Sequence, residues 1–256
     1  MTDRRPPRPL PTRIHRGLDE LEELTGAVVV IDVFRASNTV IALLEAGAAE
    51  VVLVADVDRA RELRRDQPDR LLLGERGGVA PSDFDGGNSP AAAHRLVQPG
   101  DRPILTTSAG TQALHRLGGA DQVLVASFAN AAAVVSALCH RRPRTVTLLP
   151  MGLEARTPAL EDDEAARWIA AGIDGRPRDF DRVRRRLLAC DGADRLRRLG
   201  QHDDLAWCTR LDSHDLVPVV LAGDPPRAVR GVLPQAGDQV HSLPFRRVGE
   251  RDDGEA

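Results

Sequence analysis

The pattern of apolar residues begins with a strand and a helix. Residues 27–33 are apolar except for Asp32, a run typical of a strand buried on both faces. Apolar residues then recur at helical spacing through residues 39–47 and stop at a glycine. The pattern therefore predicts a strand, a loop and a helix, with Asp32 at the end of the strand.

The same alternation returns further along the chain. Predicted strands cover residues 51–55, 70–73, 104–106, 123–126 and 145–149, and predicted helices cover residues 57–66, 113–117 and 131–140. Short apolar strands that alternate with helices indicate an α/β fold of layered α/β/α type with a largely parallel or mixed sheet. Functional groups are then expected at the carboxyl ends of strands.

The second half of the chain has a different character. Residues 160–210 are mostly helical in pattern and rich in arginine, and strands are predicted at residues 216–221 and 228–232 as edge strands or a small cap. Residues 1–13 and 247–256 contain few apolar residues and are predicted to be disordered tails. Residues 14–246 are predicted to form a single domain.

Composition favours small-molecule chemistry. The net charge of −3 and the pI near 6.2 come from interspersed acids and bases, which argues against nucleic acid and against an anionic membrane as partners. The three cysteines form no C-x-x-C unit, so a cytoplasmic location is expected. No apolar run resembles a signal peptide or a membrane span. A monomer and a homodimer are both compatible with the pattern.

A polar, glycine-rich segment is the first candidate site. Residues 74–90 contain five glycines together with Glu75, Arg76 and Asp85. Glycines let backbone amides approach an anion, arginine binds phosphate oxygens, and carboxylates bind hard cations. The segment predicts phosphate chemistry with a metal; the alternative is a solvated surface loop.

Asp32 and Arg35 form a second candidate, because they precede a helix that we expect Ser37 or Asn38 to cap. A helix amino terminus and an arginine attract an anion. The alternative is that Asp32 caps the turn and pairs with Arg35.

Two hydroxyl-rich turns and one acidic helix start complete the candidates. Residues 106–111 and 127–130 follow predicted strands, and their side chains serve either as helix caps or as ligand donors. Glu161 and Asp162 open a helix, where acids stabilise the dipole, but they are expected near Asp32 and Glu75. Clustered carboxylates need a cation, and the histidines lack zinc spacing, so magnesium is predicted.

The order of these segments resembles the 2-phosphosulfolactate phosphatase family. The matching segments are residues 32–39, 74–90, 106–114, Asn130, residues 160–162 and residues 204–218, so the resemblance covers roughly residues 25–220. It implies magnesium-dependent hydrolysis of 2-phospho-3-sulfolactate to 3-sulfolactate and phosphate, a step of coenzyme M biosynthesis. Asn38 and Ala109 depart from the pattern and raise the alternative of a phosphate-binding protein without turnover.

The resemblance and the residue chemistry together assign three sets of residues. The catalytic set is Asp32, Arg35, Glu75, Arg76 and Asp85. The substrate-binding set is Ser37, Thr39, Asn88, Ser89, Thr107, Gly110, Thr111 and Asn130. The magnesium ligands are Asp32, Glu75, Glu161 and Asp162.

Overall fold

The computed structural model describes residues 9–19 and 21–231 of the 256-residue chain. The strands are β1 (Thr12–Ile14), β2 (Ala27–Ile31), β3 (Val51–Leu53), β4 (Leu72–Gly74), β5 (Ile104–Thr106), β6 (Gln122–Ala126), β7 (Val146–Pro150), β8 (Val217–Leu221) and β9 (Arg227–Gly231). The α-helices are α1 (Ala36–Glu45), α2 (Val57–Asp66), α3 (Pro90–Leu96), α4 (Gly110–Leu114), α5 (Ala131–Arg141), α6 (Leu160–Ile173), α7 (Phe180–Leu188), α8 (Asp191–Arg198) and α9 (His202–Cys208).

All of these strands belong to one mixed sheet in the order β1-β7-β2-β6-β8-β9-β3-β5-β4. Strands β1, β7, β2 and β6 are mutually parallel, and β3, β5 and β4 form a second parallel group. The antiparallel pair β8 and β9 joins the two groups, because β8 pairs with β6 and β9 pairs with β3. The sheet therefore consists of two halves, each with parallel strands, and a hairpin connects them.

Strand β2 shows why the sheet is covered on both faces. Val28 and Val30 pack in one hydrophobic cluster, whereas Val29 and Ile31 pack in another. The side chains alternate in direction along a strand, so the two clusters lie on opposite faces of the sheet. Helix α1 contributes to the first cluster, and α5 and α6 contribute to the second. This arrangement confirms the predicted layered α/β/α fold.

Strands β8 and β9 correct the sequence prediction. They were expected at an edge or in a cap, but they lie in the middle of the sheet, and β1 and β4 are its edges. The apolar pattern identifies a strand but does not specify its neighbours. Residue 232, the end of the second predicted strand, lies outside the described residues.

The predicted tail boundary at residue 14 is also wrong. Thr12 and Arg13 already belong to β1, which pairs with β7 at the sheet edge. Backbone pairing with a buried strand supplies order that the polar composition does not reveal. Residues 1–8 and 232–256, which include the predicted second tail, lie outside the described residues.

Helices α6 and α7 are joined through one buried carboxylate. Glu164 on α6 accepts hydrogen bonds from Arg178 Nη2 and Arg186 Nη1, both at 2.6 Å, and from Arg167 Nη1 at 3.1 Å. Burial alone would raise the pKa of Glu164, but the hydrogen bond from Arg178 and the charges of the three arginines hold that pKa below its usual range.

Replacing this carboxylate tests its role in stability. We expect Glu164→Gln to lower the free energy of unfolding at pH 7 by about 1–3 kcal/mol, because the arginines lose their charged partner. Because the pKa of Glu164 is lower in the folded state, its carboxylate stabilises the fold at pH values above the unfolded-state pKa of about 4.3. This stabilisation is lost as pH falls through the folded-state pKa. Urea unfolding of the wild type and the variant at pH 7 and pH 3 measures both effects.

The matched control is Glu62→Gln, which removes one exposed ion pair with Arg59. We expect a change below about 0.5 kcal/mol for this control. Equal stability losses for Glu164→Gln and Glu62→Gln at pH 7, or a Glu164→Gln loss that persists unchanged at pH 3, would contradict this role.

None of the helices in residues 9–19 and 21–231 has both the length and the apolar character needed to cross a bilayer.

Candidate active site

A cavity of about 500 Å³ lies where the loops after β2, β4, β5 and β7 meet, and α8 forms one of its walls. The loops come from both parallel halves of the sheet. The carboxylates that line the cavity are Asp32, Glu75, Glu154, Glu161, Asp162 and Asp191. The arginines that line it are Arg35, Arg195 and Arg198. Acids outnumber bases, so a bound anion needs the arginines, a cation or both.

Asp32 lies in the loop after β2 and is 8% exposed. Its Oδ1 accepts a hydrogen bond from the Ala36 amide at 3.1 Å, and its own amide donates to Ser37 Oγ at 2.9 Å. Burial, followed by the negative charges of Glu75 and Glu161, raises the pKa of Asp32 to about 7. Asp32 therefore caps the first turn of α1 and also faces neighbouring carboxylates.

Asp162 connects two loops at the floor of the cavity. Its Oδ1 accepts from the Val33 amide at 2.7 Å and its Oδ2 from the Gly152 amide at 2.8 Å. Burial and the charges of Asp32 and Glu161 raise the pKa of Asp162 well above its usual value. Asp162 fixes the loops after β2 and β7 relative to each other.

Glu75 and Glu161 approach from different halves of the fold. Glu75, after β4, accepts from the amides of Ser108 at 2.8 Å and Gly78 at 2.7 Å. Glu161, at the start of α6, accepts from Cys190 Sγ at 3.4 Å, and burial raises its pKa. The structure thus brings together all four predicted metal ligands; their role as ligands stays a prediction.

Arg35 is held by a partner that the sequence prediction did not include. Its Nη1 donates to Asp204 Oδ2 at 2.7 Å, and its Nη2 donates to the Gly78 carbonyl at 3.1 Å. Arg35 and Asp204 side chains are only 3% and 2% exposed. Ser89 Oγ donates to the other Asp204 oxygen at 2.5 Å. Asp204 therefore orients Arg35 toward the cavity, and Ser89 acts through Asp204.

Asn88 is a buried amide in the cavity wall. Its Oδ1 has no hydrogen-bond partner among the described residues. Buried polar groups in folded proteins are almost always paired, so an unpaired amide at a cavity indicates a place for a ligand or water.

Two predicted catalytic residues lie outside the cavity. Arg76 donates to the Ala55 carbonyl at 3.0 Å and to Thr106 Oγ1 at 2.8 Å, so it ties strand ends together. Asp85 accepts from the Leu72 amide at 2.7 Å and pairs with Arg64 near the edge strand β4. Within the glycine-rich segment, Glu75, Gly78 and Asn88 line the cavity, whereas Arg76 and Asp85 do not.

The predicted substrate-binding hydroxyls of α1 are also structural. Ser37 Oγ accepts from the Asp32 amide, and Thr39 Oγ1 donates to the Arg35 carbonyl at 3.2 Å. The Ser37 amide donates to the Asp32 carbonyl at 2.9 Å. Neither Ser37 nor Asn38 is the N-cap, because α1 begins immediately after Arg35. Few free amides remain at this helix end for an anion.

The polar side chains of the two hydroxyl-rich turns are hydrogen-bonded within the protein, and Ser127 and Asn130 form a capping box. Thr107 and Thr111 bond to each other's amides at 3.2 and 3.3 Å, and neither lines the cavity. Asn130 is fully buried and accepts from the Ser127 amide at 2.9 Å. Gly110 is packed against Ala36 and Asp32 rather than open to a ligand. None of these four predicted substrate-binding residues lines the cavity, and their substrate contacts stay a prediction.

The two departures from the family pattern have different consequences. Asn38 is fully buried, donating to the Val33 carbonyl at 2.9 Å and accepting from Ser127 Oγ at 3.0 Å. It replaces a hydroxyl residue in a structural role. Ala109 lines the cavity, so its short side chain changes the shape of the site itself.

Sequence reasoning missed the contribution of α8 and α9. Asp191 and Arg195 line the cavity from α8, and Asp204 reaches Arg35 from α9. Their helices carry many charged residues, so these positions resemble a solvated helix face. The signal available for Asp204 was its place in the resembling segment 204–218.

The carboxylate oxygens of the cavity are chemically suited to bind a hard cation. No group of three or more His, Cys, Asp or Glu side chains in the described chain is arranged to hold a metal ion. Magnesium commonly takes only one or two carboxylates and completes its shell with water and substrate phosphate. Glu75 and Asp162 already accept from backbone amides, whereas Asp32 Oδ2 and Glu161 Oε1 accept no hydrogen bond from described residues. Of the four predicted ligands, Asp32 and Glu161 are therefore the two with a carboxylate oxygen left for a cation.

Comparison with known proteins agrees with this class of site, an α/β enzyme with an acidic, arginine-containing cavity. The 2-phosphosulpholactate phosphatase family matches residues 14–223, which include every cavity residue described above. A relative from Synechococcus sp. (strain WH7803) is 36% identical over 80% of this chain and 90% of its own length. One from Symbiobacterium thermophilum is 39% identical over 79% and 94%, respectively. Both carry the name "Probable 2-phosphosulfolactate phosphatase".

The chain therefore belongs to the 2-phosphosulfolactate phosphatase family, as the order of its motifs indicated. This membership confirms the predicted enzyme class, a phosphoric monoester hydrolase.

Asp204 can be tested as a positioning residue. We expect Asp204→Asn to lower phosphatase kcat/KM by about ten- to one-hundred-fold, because a small displacement of Arg35 misplaces the phosphoryl group. Phosphate-release kinetics measure the loss, and the melting temperature reports folding. The matched control is Asp203→Asn, an exposed neighbour on the same helix. Equal activity in the two folded variants would contradict the positioning role of Asp204.

Proposed function

We propose that this protein hydrolyses 2-phospho-3-sulfolactate to 3-sulfolactate and phosphate with magnesium as cofactor, as in coenzyme M biosynthesis. The observation that carries the proposal is the meeting of Asp32, Glu75, Glu161, Asp162 and Arg35 in one cavity within the family-matched region. A small phosphoester is the proposed partner, in the cytoplasm; a homodimer and the absence of nucleic acid binding stay predictions.

Arg35 is the residue that we assign to the transferring phosphoryl group. Two of its five N–H donors are used by Asp204 and the Gly78 carbonyl, which leaves others for phosphate oxygens. A buried guanidinium stabilises developing charge more strongly than a solvated one, and its fixed position avoids reorganisation during the reaction. The Asp204 contact supplies that fixed position.

The carboxylates have separate tasks. Glu75 and Asp162 hold loops in place through backbone amides, whereas Asp32 and Glu161 would hold magnesium. When bound, magnesium supplies positive charge that neutralises phosphate oxygens and the clustered carboxylates. A carboxylate not engaged with the cation accepts a proton from the attacking water.

Asn88 is a further candidate ligand contact in the cavity wall. Its side-chain amide both donates and accepts, so it is suited to an ester or carboxylate oxygen beside Arg35. The next residue, Ser89, bonds to Asp204, which links this wall to the Arg35 support.

Substitution of Asp32 tests the catalytic assignment. We expect Asp32→Asn to lower kcat for 2-phospho-3-sulfolactate by about 10²- to 10⁴-fold, because it removes a charged ligand next to the reacting group. Phosphate release measures kcat, and circular dichroism with a melting curve reports the fold. Asp85→Asn is the matched control, since Asp85 lies outside the cavity and is expected to leave kcat near wild type. Near-normal turnover in Asp32→Asn would refute the assignment.

Magnesium binding has a readout that is independent of turnover. We expect magnesium to raise the melting temperature of the chelator-treated protein, because a ligand at one hundred times its Kd stabilises by about 2.7 kcal/mol. Asp32→Asn should lose most of this shift and Asp85→Asn should retain it. Equal shifts in both variants, or no shift in the wild type, would argue against a magnesium site at Asp32.

A further inference from the structure

Arg195 on α8 is a cavity arginine whose role the proposed function does not explain. Among the described residues its guanidinium has no hydrogen-bond or ion-pair partner, in contrast to that of Arg35. Arg198 also lines the cavity, but it is exposed, whereas Arg195 is half-buried. A partly desolvated, unpaired guanidinium is costly unless a ligand pairs with it.

The position of Arg195 is set by packing beneath α8. Ala193 and Leu196 of this helix are buried in a cluster that Phe34 and Leu160 also join. Gly192 permits the close approach, because a Cβ there would lie 2.4 Å from Glu161 Oε1. Arg195 lies one turn further along the helix and reaches the cavity from a fixed base.

Gly78 lies between Arg35 and Arg195. Its carbonyl accepts from Arg35 Nη2 at 3.1 Å, while Arg195 Nη2 and Nε lie 3.5 and 3.6 Å from the place that a Cβ of Gly78 would occupy. The absence of a Cβ lets the Gly78 backbone lie close to the Nε–Nη2 edge of Arg195, beside Leu199, whose Cδ1 is 2.9 Å from the same place. That edge presents two N–H donors, the arrangement that binds a carboxylate, sulfonate or phosphate oxygen pair.

We propose that Arg195 binds the non-transferred anionic group of the substrate, its sulfonate or carboxylate, while Arg35 binds the phosphoryl group on the other side of Gly78. The inference rests on the proposed function. It assigns a specificity-determining residue: a phosphoester with a second anionic group gains a contact that a simple phosphoester lacks. The six cavity carboxylates repel that second anionic group, and Arg195 supplies a positive charge that favours its binding.

Three substrates separate this role from a general loss of activity. They are 2-phospho-3-sulfolactate, 2-phospholactate, which lacks the sulfonate, and phenyl phosphate, which lacks both additional anions. We expect Arg195→Gln to raise KM for 2-phospho-3-sulfolactate about ten- to one-hundred-fold with a smaller change in kcat, and to leave kcat/KM for phenyl phosphate unchanged. Arg195→Lys should restore part of the affinity, because it keeps the charge but not the fork.

The KM for 2-phospholactate shows which anionic group of the substrate Arg195 binds. A KM increase for 2-phospholactate assigns Arg195 to the carboxylate, and no increase assigns it to the sulfonate. The matched control is Arg184→Gln, an exposed arginine on α7 outside the cavity. An unchanged KM for 2-phospho-3-sulfolactate, or equal losses for all three substrates, would overturn the proposal.

A binding experiment distinguishes failure of this inference from failure of the proposed function. If no compound releases phosphate, the phosphatase proposal fails, but the anion site is still tested by the melting-temperature shift with 3-sulfolactate. A shift in the wild type and in Arg184→Gln that is lost in Arg195→Gln would support the site. The same shift in all three proteins, or none in any, would overturn it.

Discussion

The free-energy cost of burying several carboxylates together is the constraint on which this structure depends. Burial raises the pKa of Asp32, Glu161 and Asp162. Neighbouring negative charges raise these pKa values further: those of Glu75 and Glu161 act on Asp32, that of Asp191 acts on Glu161, and those of Asp32 and Glu161 act on Asp162. The fold offsets part of this cost with backbone amides, as Asp162 shows by accepting from two loops. Under the proposed function, a cation bound to the cluster would offset the remaining cost.

The sheet topology explains how these groups meet. Asp32 and Asp162 are attached to one parallel half of the sheet, whereas Glu75 follows β4 in the other half. The hairpin β8–β9 joins the halves in the middle, and the resulting sheet brings loops distant in sequence to one cavity. Helices α8 and α9 then close one side and supply Arg195 and Asp204. The hairpin that the sequence pattern placed at an edge or in a cap thus lies between the two groups of strands whose loops form the site.

Local periodicity accounts for what the sequence predicted well. The predicted strand 104–106 and helix 57–66 agree with β5 and α2, and the buried run around Asp32 forms β2. Strand order was not predictable in this way, because apolar residues record burial but not neighbours. Asp85 shows the corresponding limit for the site. It shares a polar, glycine-rich segment with Glu75, yet the chain between them turns Asp85 toward Arg64.

Hydroxyl residues show a second limit. Thr107, Thr111 and Asn130 have the chemistry of ligand donors, but their polar groups are used inside the backbone of their own turns. Caps and binding loops draw on the same residue types, so composition cannot separate them. Asp204 is the opposite case, since a charged position on a short helix is the partner of a buried arginine.

The most direct test of whether the carboxylate cluster binds a cation is anomalous diffraction from crystals soaked in manganese, a substitute for magnesium. The structure predicts one strong peak within bonding distance of Asp32 and Glu161 oxygens, and loss of that peak in Asp32→Asn crystals. A peak elsewhere, or an empty cavity at saturating manganese and phosphate, would contradict a cation as the partner of these carboxylates.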